Sequence, residues 1–194
     1  MKQGQAARLR RSSPRDLALK LAGRTKAIWV DQRGVAAIEF GFFAIFLSFA
    51  LANVTDVSIY VYQRMQVDNA TQVAAQAALK TCSSKLPATT SCTGLTTAVN
   101  NALGSTSLGA SVSLISGSPS EGYYCVNSSN ALQLVNAVTS PKPADCTAAG
   151  TPSLQPGDYI QVQTTFSYTP LFGRLSVASA FATPITSSAM LRLG

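Results

Sequence analysis

Among 194 residues there is no histidine, which removes Ser-His-Asp and Cys-His nucleophilic catalysis, histidine-ligated zinc and the usual general base near neutral pH. Beyond residue 80 the carboxylates are Glu121, Asp145 and Asp158, and the many serines there lie in no motif that supplies a base. Spacing alone leaves paired-carboxylate chemistry open. Asp158, however, follows Pro156-Gly157, a turn signal, and reads as a solvated turn residue. The four cysteines, Cys82, Cys92, Cys125 and Cys146, are separated by 9, 32 and 20 residues, with no Cys-x-x-Cys pair that would suggest a zinc ribbon or a thioredoxin-like couple. Their even number, all beyond the most apolar stretch, fits two structural disulfides in an oxidising compartment. Three pairings are possible, and short loops, which close at the least entropic cost, favour Cys82 with Cys92 and Cys125 with Cys146. Free buried thiols are the alternative. The reading is therefore of a protein that is not an enzyme, with no catalytic residue, metal site, cofactor or small-molecule substrate.

Glu39 is the residue that asks for an explanation. Sixteen uncharged residues separate it from Asp56, in the run VAAIEFGFFAIFLSFALANVTDVSIYVY from Val35 to Tyr62. A carboxylate at mid-bilayer costs about 2.5–3.5 kcal/mol on insertion scales, less near the interface, so it calls for a partner or for a place among the headgroups.

Three regions position these residues. Residues 1–33 hold nine basic and two acidic side chains, a net +7, while the remainder holds six of each and nets zero. A nucleic-acid-binding domain would spread its basic residues over a folded face; a short basic arm abutting an apolar run is a topology signal, and no nucleic-acid partner is expected. About 20 residues at ~1.5 Å each span a bilayer core, and 35–55 supplies that length, apolar all round rather than striped. Residues 57–80 continue without Gly or Pro, with Val57, Tyr60, Val67, Ala70, Ala74 and Ala77 on one helical face. Segment 34–80 is thus one helix, crossing a membrane first and then packing on a domain. From 81 to 194 the composition turns to Ser, Thr, Gly and Pro. A short helix is predicted over 93–103 and strands over 111–115, 122–126, 159–168 and 183–193, with 127–157 largely loop clipped by a disulfide. The fold class is α+β: a long N-terminal transmembrane-plus-periplasmic helix packed on a small antiparallel sheet. The positive-inside bias keeps the arm cytoplasmic and exports the C-terminal domain, placing the chain as a single-pass inner-membrane protein.

The context RGVAAIEF from Arg33 to Phe40 resembles the class III signal of type IV pilin-like proteins. The longer stretch RGVAAIEFGFFAIFLSFALANVTDVSIYVYQRMQVDNATQVAAQAAL is similar to the TadE-like module, closely over 33–80, and the segment from Tyr159 to Phe172 with the final strand is similar to that family's ending over 158–193. The resemblance implies a minor pseudopilin of the tight-adherence (Tad, Flp) pilus machinery, cut by prepilin peptidase between Gly34 and Val35. Its implied partners are the inner membrane, that peptidase and the other pilins and pseudopilins of the apparatus. Cutting there would create an α-amine on Val35 one helical turn from Glu39, and an amine of pKa ~7.7–8 is largely protonated at neutral pH, so it would compensate that charge within its own helix or a neighbour's. Two features depart from the pattern: the arm is long for a prepilin leader, and Phe40 stands where major pilins of this type commonly carry tyrosine.

Two other processing outcomes compete. Ala50-Leu51-Ala52 is an A-x-A signal-peptidase site whose cleavage would free a secreted domain beginning at Asn53, and an uncleaved bitopic anchor would hold the same domain at the membrane. The glycosylation-like triplets at Asn53, Asn69 and Asn127 are frequent by chance in a Ser/Thr-rich chain and carry no weight.

Overall fold

The computed structural model describes residues 32–181 and 183–193, so residues 1–31 of the basic arm lie outside the described residues and its last two, Gln32 and Arg33, begin a helix. The chain divides into two compact units, 1–51 and 52–194. The first contributes the beginning of helix α1 (Gln32–Cys82). After Gly41 this helix contains neither Gly nor Pro, and its interior hydroxyls bond back into their own turns: Ser48 donates to the Ala44 carbonyl at 2.7 Å and Ser58 to that of Val54 at 2.8 Å.

In the second unit α1 buries one face. Tyr60, Val67, Ala70, Ala74, Ala75, Ala78 and Cys82 are core residues. The predicted stripe is half-buried at Val57, holds from Tyr60 through Ala74 and then moves to Ala75 and Ala78, leaving Ala77 half-buried. The shift has a simple geometric cause: a helix of 3.6 residues per turn drifts against any strict three-four spacing. Alanines here let the sheet approach closely. Thr71, inside the same face, donates to the Val67 carbonyl at 2.7 Å, so the 2.6 Å contact to Thr164 has the Thr164 hydroxyl as donor.

Thr164 belongs to the central strand. The sheet contains β1 (Val112–Leu114), β2 (Ser120–Val126), β3 (Leu132–Ala137), β4 (Gly157–Phe166) and β5 (Ile185–Arg192). All pairings are antiparallel. β4 pairs with β5 from Tyr159 to Phe166, and its other edge is shared end to end by β2, opposite Gly157 to Gln161, and β1, opposite Thr164 to Phe166. Ile160, Val162, Thr164 and Phe166 are buried while Tyr159, Gln161, Gln163 and Thr165 stay half-exposed, the alternation expected of a strand with one covered face. Helices α2 (Ala88–Ser91) and α3 (Leu95–Gly104) close the domain, α3 burying Leu95, Val99 and Leu103. The α+β architecture and four of the strands follow the sequence reading.

One expectation is extended and one is corrected. The region 127–157 is largely loop and turn, clipped by the Cys125–Cys146 disulfide, but it also holds a strand: β3 forms a hairpin with β2 across a turn in which Asn127 Oδ1 accepts from the Ser129 and Ala131 amides at 3.0 Å and Asn130 adopts φ 57°. Leu132 and Leu134 remain 41% and 54% exposed, so β3 buries neither of its leucines and lacks the half-buried alternation that marks β4. Asp158 is not in a solvated turn but in β4, 7% exposed. The strand begins one residue earlier, at Gly157.

Cys82 is joined to Cys92 and Cys125 to Cys146, with Cα separations of 5.7 Å in both. The first ties the end of α1 to the end of α2. The second ties β2 to the 3-10 turn Thr147–Ala149. Loops of 10 and 21 residues predict about 3 kcal/mol each from chain entropy.

Candidate functional site

In the first unit the residues singled out by sequence fall in the opening turns of α1. Gly34 and Val35 lie near the described start of α1. A side chain at Gly34 would meet nothing within 4 Å. Val35 is 57% exposed and Phe40 75%. Glu39 is exposed too and follows Val35 by four residues, which places both on one side of the helix. The structure therefore brings Val35 and Glu39 together by helical geometry. It gathers the four cysteines elsewhere, in the disulfides of the second unit.

Beyond Glu39 the helix presents apolar side chains in every direction. Phe42, Phe43, Ile45, Phe46 and Leu47 are each more than three-fifths exposed. An 18-residue window reaches a mean hydropathy of 2.2 with none of it buried, so α1 is long and apolar enough to cross a membrane. Large aromatic and aliphatic groups exposed around a helix need an apolar partner, which lipid or close-packed helices would supply.

Where the apolar run ends, the second unit holds a carboxylate that sequence reasoning treated only as the far boundary. Asp56 is fully buried. Its Oδ1 accepts from the Leu171 amide at 3.0 Å and its Oδ2 from the Phe172 amide at 3.2 Å, and the Tyr168 hydroxyl donates to the Asp56 carbonyl at 3.1 Å. One turn earlier Asn53 Oδ1 accepts from the Val177 amide at 2.7 Å. Burial opposes the charge on Asp56, but hydrogen bonds from Ser176, Phe172 and Leu171 outweigh it and hold the carboxyl below the usual carboxylate range. Tyr60 completes the cluster, its ring 5.1 Å from that of Tyr168 and 4.8 Å from that of Phe181. The only sequence signal was an acid set directly after sixteen uncharged residues.

The carboxylates beyond residue 80 take three separate roles. Asp145 accepts from the Thr147 amide at 2.9 Å and hydroxyl at 2.6 Å, which hold its carboxyl below the usual range. Glu121 receives the Ala88 amide at 2.9 Å and the Thr89 amide and hydroxyl at 2.7 and 2.8 Å, so it caps α2 from the sheet. Asp158 sits near Glu121 with Oδ1 buried and unpartnered, on a cavity of about 300 Å³ lined by Leu86, Pro87, Tyr123 and Lys142. Burial and the Glu121 charge push its carboxyl up to about 6, against the pull of Lys142. Glu121, already spent on three donors, has little capacity left for acid–base work beside it.

No protein-family model, curated protein or solved structure matches this chain.

Proposed function

We propose that this chain is a TadE-like minor pseudopilin, matured by prepilin peptidase between Gly34 and Val35 and acting in assembly or priming of a tight-adherence pilus. The observation that carries the reading is Glu39, five residues beyond Gly34, at the start of a helix exposed and apolar on all sides. Alone, that carboxylate opposes burial in lipid or among other helices. A cut after Gly34 supplies the α-amine of Val35 one turn away, so the processing event and the tolerated charge explain each other. The basic arm stays cytoplasmic, residues 35–55 cross the inner membrane, and the disulfide-bonded unit lies outside it. The chain's chemistry is done to it by a peptidase. Its own work is to bind: lipid before extraction from the membrane, pilin helices afterwards.

The secreted alternative fares worse on one observation. Cleavage after Ala52 would fall inside an unbroken helix, directly beside Asn53, whose side chain is bonded to the Val177 amide. Amino-terminal sequencing of the protein purified from membranes separates the models. Val35 is the expected first residue; Asn53 would indicate signal peptidase, and Met1 an uncleaved anchor, and either result removes the pseudopilin reading.

A further inference from the structure

The loop between β4 and β5 is turned inside out for a solvated segment. Leu171, Leu175 and Val177 are 70%, 72% and 58% exposed and Phe172 46%, while Ser176 is buried among them. Arg174 is the one charged residue between Asp158 and Arg192 and it is exposed at the tip of the loop, in the 3-10 turn Gly173–Leu175. Gly173 opens that turn at φ 53°, a backbone conformation that side chains strain. The exposure is built in. Asp56 takes the Leu171 and Phe172 amides, Asn53 takes the Val177 amide, and Ser176 Oγ accepts from the Ala178 amide at 3.1 Å, so the polar groups of the loop are satisfied inwards and its apolar groups are left outwards.

Height decides what those groups meet. Of the two residues that hold the loop, Asn53 lies in the last turn of the uncharged run and Asp56 directly after it, and Val54 between them is itself 63% exposed. If residues 35–55 occupy the hydrocarbon, a loop bonded to 53 and 56 lies at the level of the headgroups. Apolar side chains beside a single basic one suit that layer, where aliphatic and aromatic groups enter the acyl boundary and arginine meets lipid phosphate. We propose that residues 171–177 form a membrane foot: Leu171, Phe172, Leu175 and Val177 insert into the outer edge of the bilayer that α1 crosses, Arg174 pairs with lipid phosphates, and the Asn53 and Asp56 bonds set the insertion depth. This rests on residues 35–55 spanning a membrane; it is independent of pilus assembly and of cleavage after Gly34.

The test places a single indole in the full chain, in a Trp29→Phe background, by Phe172→Trp or Leu175→Trp in the loop and by Phe43→Trp in the span. Each variant is reconstituted into vesicles of phosphatidylcholine and phosphatidylglycerol, with acyl chains plain, brominated near the headgroup to report on 172 and 175, or brominated near mid-bilayer to report on 43. Bromolipid quenching of the indoles at 43, 172 and 175 is the expected result, with Arg174→Glu reducing quenching at 175. Quenching at 43 together with water-like emission at both loop positions would overturn the foot while leaving the span standing. Blue-shifted loop emission that bromolipid does not quench would show the loop covered by protein and would also overturn it. Loss of quenching at 43 would remove the span and the foot together. Two loop positions, each exposed, keep the outcome readable if one substitution disturbs folding.

Discussion

Asp56 and Asp158 are both buried carboxylates, and their surroundings drive them in opposite directions. Asp56 has donors on both oxygens and is held below its ordinary range. Its stabilising contribution is present above the unfolded value of ~3.9 and is lost as pH falls through the lower folded value. Asp56→Asn should therefore lower Tm at neutral pH and blunt the loss of stability on acidification; an unchanged acid limb would contradict the geometry. Asp158 is raised to about 6 because one oxygen is buried without a partner and Glu121 lies nearby. The folded state binds its proton more tightly than the unfolded chain, so this residue's contribution is present below ~4 and is lost as pH rises to about 6. Asp158→Asn removes the buried charge, and it should raise stability near neutral pH by about 1–2 kcal/mol, allowing for solvent screening, while doing little near pH ~4. Denaturant melts at the two pH values check both the size and the sign.

At the scale of elements, the buried face of α1 is rich in alanine, with Tyr60, Val67 and Cys82 beside it and one threonine pair reaching the sheet. Ala70, Ala74, Ala75 and Ala78 are fully buried, and a close-packed face has no room for added methylenes. Ala74→Leu should destabilise by about 1–3 kcal/mol through overpacking. Thr71→Val leaves Thr164 without its acceptor and should cost about 1 kcal/mol or more, whereas Thr71→Val with Thr164→Val should be close to neutral, because both partners of the bond leave together. A double mutant as unstable as the sum of the singles would show that the pair is not coupled. These elements were legible in the sequence to the degree that burial was periodic. β4 alternates between a covered and an open face and follows a Pro-Gly turn, so its existence and its inward residues could be read directly. β3 could not, since its leucines are exposed and its pairing is fixed by β2 and by an asparagine turn rather than by the core. Asp56 and Asp158 were equally hidden: their partners lie more than thirty residues away in sequence, at 171, 172 and 176 for one and at 121 for the other, and no local pattern announces a long-range hydrogen bond.

For the whole molecule the division of labour follows the two units. The unit beyond Leu51 buries a core, leaves Gln63 Oε1 and Asp158 Oδ1 buried without partners, and is clasped by two disulfides, and the described helix before it exposes its large apolar groups. On the proposed function, such a chain would fold on one side of a membrane while helix α1 awaits apolar company. If the Val35 amine and the Glu39 carboxylate compensate one another in that company, three substitutions should separate the steps. Gly34→Leu should block cleavage and leave a protein of unprocessed mass in the membrane. Glu39→Gln should be cleaved normally yet lose pilus assembly, because the new amine then lacks its counter-charge. Glu39→Asp, which keeps the charge on a shorter arm, should restore part of that loss. Mass spectrometry of the membrane-bound protein reads cleavage, and sheared filaments read assembly. Normal assembly by Glu39→Gln would mean that the carboxylate merely sits among headgroups, and the coupling of proteolysis to charge would have to be abandoned. The second unit should be indifferent to all three, with both disulfides formed in each variant.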